Sequence, residues 1–169
     1  MTEHELKEVL DLIEKKAVEA QLRDDACARS TMYGLGTYFP FISDEVVAAT
    51  LSLIGGAGIS SGSCGAYTSG LLAVGLKYNP LIEEEIAEEG LEKKDIAMGK
   101  IMTFRDAFIK EFGTTMCPEI HKIIFGRSFN LMDDQERDDF LSIPDHAEKC
   151  SAVVAKAARM AAEILLKDA

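Results

Sequence analysis

The chain has 169 residues and a formal net charge of −11 at pH 7, from 29 Asp and Glu against 18 Lys and Arg. That length allows one domain with a substantial core. The acidic balance speaks against nucleic acid, which needs clustered Lys and Arg, and against an anionic membrane surface.

The first stretch, MTEHELKEVLDLIEKK, is charged from its third residue and lacks the apolar centre of a secretory signal. No run reaches the roughly 18 apolar residues of a membrane helix. A cytoplasmic protein is expected. Residues 3–22 place Leu6, Val9, Leu10, Ile13, Ala17 and Ala20 at helical spacing, which predicts an amphipathic helix. A second helix is expected after Asp24 or Asp25, both good N-caps, with Cys27 in its first turn and an end before Pro40. SDEVVAATLSLIGG reads as a third helix, capped by Ser43 or Asp44 and stopped by Gly55 and Gly56.

A glycine-rich loop follows, and then a helix after Cys64 that ends near Asn79 and Pro80. On that helix Ala66, Gly70 and Val74 share a face. Residues 81–93 are dense in Glu and read as an exposed, partly helical connection. A long helix from Lys93 to its stop at Gly113 should turn Ile96, Met102 or Ile101, Phe104, Phe108 and Phe112 inward. TTMCPEIHKIIFG predicts a short helix, with Pro118 in its first turn and Cys117 beside the cap. An acidic turn with one short helix comes next. The last helix, from His146, carries Cys150, Val153, Val154, Ala157, Met160, Ala161 and Ile164 along one side. No strand or repeat stands out. The expectation is an all-α single domain over 1–169, a bundle of about six or seven helices.

Chemistry centres on the loop GISSGSCGAYTSG and on the cysteines. The loop lacks the Lys of a phosphate-binding P-loop, because Gly62 is followed by Ser63 and Cys64. A dinucleotide fingerprint needs a preceding strand, and the preceding segment reads as helix. Ser60, Ser61 and Ser63 have no sequence-near His or Asp to activate them.

The four cysteines stand at 27, 64, 117 and 150, with no CxxC between them. A reducing compartment disfavours a structural disulfide framework. Each lies at or near an expected helix start. Four unrelated core thiols is the plain reading. The sharper one is that helix ends gather the sulfurs into one site. Cys64, at a helix N-terminus, is expected to have a lowered pKa and to act as a reactive thiolate. Gly62, Gly65 and Gly70 would permit close backbone approach, and a cofactor could use it. Cys117 and His121 are four residues apart, as are His146 and Cys150, so each pair would share a helix face. Thiolate with imidazole suits zinc or iron, which makes His121 and His146 weaker metal candidates beside the four cysteines. Otherwise both histidines are exposed helix residues.

The pattern Cys27, Cys64-Gly65-Ala66-Tyr67-Thr68-Ser69-Gly70, Cys117, Cys150 resembles the family of proposed redox-active proteins named for its C_GCAxxG_C_C cysteines. FGTTMCPEI and KCSAVVAKAARMAAEIL resemble the segments around that family's third and fourth cysteines. The resemblance runs from about Cys27 to Ile164. It implies a small helical protein in redox or electron-transfer work. Related domains occur beside haem-binding segments, but this chain has no CxxCH for covalent haem.

Two mechanisms follow for one four-cysteine site. The thiolates bind an iron–sulfur cluster or another metal, which four sulfurs narrowly favour, or thiol pairs cycle to disulfides, with Cys64 attacking. The alternative is a helical interaction module for a redox or transport partner, with structural cysteines. A homodimer is compatible with the long apolar helices.

Overall fold

The computed structural model describes residues 1–86 and 90–167. Helix α1, Glu3–Asp24, begins at a capping box. The Thr2 hydroxyl accepts from the Glu5 amide, and the Glu5 carboxylate accepts from the Thr2 amide. It ends where Asp25 turns left-handed at φ 46°. Asp25 therefore closes α1 rather than capping the next helix, whose N-cap is Ala26.

Helix α2 is Cys27–Gly36, and α3 is Asp44–Ala49, capped by Ser43. The expected third helix tightens after Ala49 into a 3-10 turn over Thr50–Leu53. Helix α4, Gly65–Tyr78, starts from Cys64 as N-cap. Two helices follow, α5 over Ile82–Ile86 and α6 over Gly90–Phe112. Part of the expected exposed connection, residues 87–89, lies outside the described residues. Helix α7 is Cys117–Phe125, with Pro118 in its first turn and Gly126 as its left-handed stop. Helices α8, Asp134–Leu141, and α9, His146–Leu166, complete the chain.

The architecture is all-α. The described residues form nine α-helices rather than six or seven. The excess comes from two short pieces, α5 and α8, which the turn-rich segments between long helices can form because each brings its own acidic first turn.

Helices α1, α2, α4 and α9 pack on one another, and α6 lies against α4 and α9. Small residues let them approach. A Cβ at Gly34 would stand 2.6 Å from the Ala17 Cβ, so α1 and α2 touch where neither has a bulky side chain. Ala157, Ala158, Ala161 and Ala162 on α9 are fully buried. On α6 the inward stripe is Ala97, Phe104 and Phe108, with Ile101 and Phe112 partly buried beside it. Ile96 and Met102 instead point to solvent, at 50% and 42% exposure. They sit about a third of a turn off the 97–101–104–108 row, so the rotation that buries the phenylalanines excludes them.

Candidate functional site

The loop 55–62 makes an unusual backbone path. Gly55, Gly56 and Gly58 have positive φ, and so do Ala57, Ile59 and Ser61. For a β-branched residue such as Ile59, at φ 58°, that conformation is strained. Strain of this kind persists only where surrounding structure fixes it. Here the Ile59 amide donates to the Ile54 carbonyl, and Ser61 Oγ accepts from the Leu131 amide at 2.7 Å.

The loop then enters a short antiparallel bridge between Ser63 and Met116. The Cys64 amide donates to the Thr115 carbonyl and the Cys117 amide to the Gly62 carbonyl, each at 2.8 Å. Two cysteine-bearing helix starts, α4 and α7, are thereby fixed to each other. Cys27 enters from the start of α2, where a Cβ at Gly65 would come within 2.7 Å of its sulfur. Cys150 enters from the second turn of α9.

All four sulfurs are free thiols, and all four cysteines line one cavity of about 150 Å³. The starts of α2, α4 and α7 and the second turn of α9 thus all face this one cavity. Apolar side chains form much of the remaining wall, among them Ile54, Ile59, Leu131, Phe140 and Val153. Among the described residues, no three His, Cys, Asp or Glu side chains stand in a metal-holding arrangement.

Burial dominates the electrostatics. It pushes the Cys64 thiol up to about 12, and the charge of Cys27 pushes the same way. The amides of Tyr67 and Ala66 oppose it without prevailing. The expectation of a lowered Cys64 pKa at the helix N-terminus is therefore overturned, because desolvation outweighs the cap donors. Burial likewise raises Cys27, Cys117 and Cys150, and for Cys117 and Cys150 the neighbouring sulfurs add to it. The site at rest holds neutral thiols.

His121 is not an exposed helix residue. It is 4% exposed and lines the cavity, with Nε2 3.4 Å from Cys117 Sγ. Its ring stacks on Phe140 at 4.6 Å and meets Phe125 and Phe129 edge-on. Burial lowers its pKa to about 4, so it is neutral at pH 7. His146 is also largely covered. Its Nε2 lies 2.5 Å from Asp25 Oδ2 and its Nδ1 3.0 Å from the Ile143 carbonyl. Burial pulls its pKa down, but the bonds to Asp25 and Ile143 outweigh it and the net direction is up. His146 thus ties the start of α9 to the end of α1, and it is not among the cavity-lining residues.

Of the glycines, Gly65 packs on Cys27 and Gly62 on the Gly56 carbonyl, while Gly70 sits under the Phe104 ring. The close approaches are real, and they are made to the chain itself. Gln21 and Arg137 also reach the cavity without any sequence reading having marked them, as does Asp25, read there only as an N-cap. Gln21 had a signal. It occupies the next position of the buried α1 stripe after Ala17 and Ala20, where an amide is out of place.

Residues 26–164 match the family model described as "Putative redox-active protein (C_GCAxxG_C_C)". No curated protein and no solved structure matches the chain.

Proposed function

The chain belongs to the C_GCAxxG_C_C family described as putative redox-active proteins, and from that premise we propose that it works by reversible thiol–disulfide chemistry at Cys27, Cys64, Cys117 and Cys150. The observation that carries this reading is the convergence of four free cysteines on one small cavity. Oxidation of two thiols to a disulfide releases two electrons and two protons and leaves no charge behind. That suits an apolar wall, where an unpaired thiolate is costly. A metal centre would need several thiolates together, with the positive ion offsetting their charge. The number of sulfurs, more than one dithiol cycle requires, favours that second reading, while the apolar wall of the cavity favours the first.

The test is anaerobic purification, metal analysis and thiol counting. The expected result is four thiols in the reduced, unfolded protein, a loss of thiols in pairs on oxidation, and their return on reduction. Stoichiometric iron or zinc would establish the metal form. Thiols indifferent to oxidant, with no metal, would leave a helical interaction module whose cysteines only pack.

A further inference from the structure

We infer that the four-cysteine cavity exchanges with small uncharged disulfides, Cys117 being the attacking sulfur and His121 the group that takes its proton. The inference rests on the thiol–disulfide reading above and adds a substrate class and two roles to it.

The first observation is the Cys117–His121 contact. Nε2 lies 3.4 Å from Sγ, one helical turn away. Among the described residues, no other cysteine sulfur has a side-chain hydrogen-bond partner of this kind. The ring cannot swing away, because Phe140 covers its face and Phe125 and Phe129 its edges. Its Nδ1 is buried with no hydrogen-bond partner. A buried unpaired nitrogen costs stability and calls for a reason. An imidazole held in place only by packing and by a sulfur is free to exchange a proton with that sulfur.

The second observation is what the cavity offers a visitor. Its volume, about 150 Å³, matches cavities that take a molecule the size of one benzene ring. Its two charged lining residues are already engaged. Asp25 is bonded to Gln21 and His146, and Arg137 to the Leu131 carbonyl and Asp134. A charged disulfide would lose its hydration and find no free counter-charge, whereas an uncharged one loses little.

The step balances without net charge. As the Cys117 sulfur attacks one sulfur of R–S–S–R, its proton moves to His121 Nε2. The S–S bond of the visitor breaks, and the leaving RS⁻ takes the proton from His121 as RSH. A second thiol then attacks the Cys117 sulfur and expels the other R–S group as RSH, its own proton going with it. The sum is two cysteine thiols and one disulfide giving one protein disulfide and two small thiols. Cys64 is the second thiol. The bridge holds its helix start beside that of Cys117, and it is the neighbour that weighs most on Cys117 electrostatically.

The experiment uses the full reduced chain and three probes with the same two-carbon arms: bis(2-hydroxyethyl) disulfide, cystamine and 2,2′-dithiodiacetate. Wild-type protein should react at least about tenfold faster with the uncharged probe than with either ion. Cys64→Ser should accumulate a single hydroxyethylthio adduct, located on Cys117 by mass spectrometry. His121→Phe keeps an aromatic ring against Phe140 and should keep its melting temperature, yet lose about a hundredfold in exchange rate, the usual worth of a positioned base. His121→Gln serves if the Phe variant does not fold. Equal rates for the three probes, a first adduct on another cysteine, or an unslowed His121 variant would each overturn the inference. Diamide separates the two levels. If it oxidises the thiols reversibly while the disulfide probe fails, only this inference falls. If diamide also leaves the thiols untouched, the redox reading itself fails.

Discussion

At the scale of single residues, Cys64 shows how two opposed effects are weighed. A helix N-terminus offers free amides and a positive dipole end, each worth a modest stabilisation of a thiolate. Removing the sulfur from water costs more, and the thiol rises from 9.0 to about 12. Each unit is a tenfold loss of thiolate. Iodoacetamide at neutral pH should therefore label Cys64 on the order of a thousandfold more slowly in the native reduced protein than in the same protein unfolded. Timed alkylation with peptide mass spectrometry reads this directly. A Cys64 that labels at the unfolded rate would show that the cap donors prevail after all. The position of Cys64 was legible in the sequence, since the glycine loop and the following small-residue helix fix it as a cap. Its protonation was not, because burial depends on α2, α7 and α9 closing over it from elsewhere in the chain.

At the scale of helices, the glycines on α2 and α4 set the interhelical distances. Gly70 on α4 faces α6, where an added Cβ would fall 2.1 Å from Phe104 Cζ. Gly34 on α2 meets the backbone of α1 at Ala17, with 2.9 Å to its Cα. The Gly34 clash is with backbone, and the Gly70 clash is with a fully buried ring stacked on Tyr67, which has little room to turn. Gly70→Ala and Gly34→Ala should each destabilise the protein by about 1–3 kcal/mol, the usual cost of overpacking, measured as a fall in the urea midpoint at unchanged slope. Gly99→Ala is the control. It meets nothing within 4 Å, and alanine is the better helix former, so stability should hold or rise slightly.

The long helices were readable because their apolar period runs over many turns, as in Leu10, Ile13, Ala17 and Ala20 of α1. The registration of α6 was less so. Apolar residues occupy more than one side of it, and contact with α4 and α9 decides that Phe104 goes in and Met102 out. The break of α3 into a 3-10 turn and the short helix α5 have weak periodic signals. His121 was misread for a related reason. Its i,i+4 partner Cys117 was visible, but the aromatic cage of Phe125, Phe129 and Phe140 comes from the next turn of its helix, a loop and α8.

At the scale of the whole molecule, a buried histidine and buried thiols narrow the pH range of stability from both sides. His121 binds its proton near pH 4 in the folded protein and at 6.5 when unfolded. Between these values the unfolded state holds more protons, so stability falls as pH drops from 6.5 towards 4. The loss amounts to roughly 3 kcal/mol once the pH has fallen below about 4. Cys64 acts at the other end. The unfolded thiol ionises at 9.0 and the folded one near 12, so stability is lost as pH rises above about 9. Chemical denaturation across pH should show both flanks. His121→Phe should flatten the acid flank, and Cys64→Ser should make the alkaline one shallower, the other three raised thiols keeping the rest. Flanks that stay as steep in these variants would assign the loss to other groups. The net charge of −11 adds self-repulsion at high pH, which low ionic strength should sharpen in all variants alike.

The bridge between Ser63 and Met116 has a further consequence when the site is viewed as an opening equilibrium. Its two hydrogen bonds belong to the amides of Cys64 and Cys117 themselves, so the backbone positions that hold two of the sulfurs also carry two exchangeable hydrogens locked by the same contact. Neither amide can trade its hydrogen for deuterium while the bridge is closed. Any fluctuation that parts the starts of α4 and α7 releases both together, in one cooperative unit. The rate at which these two hydrogens leave, side by side, is thus a direct clock for how often the cavity comes apart.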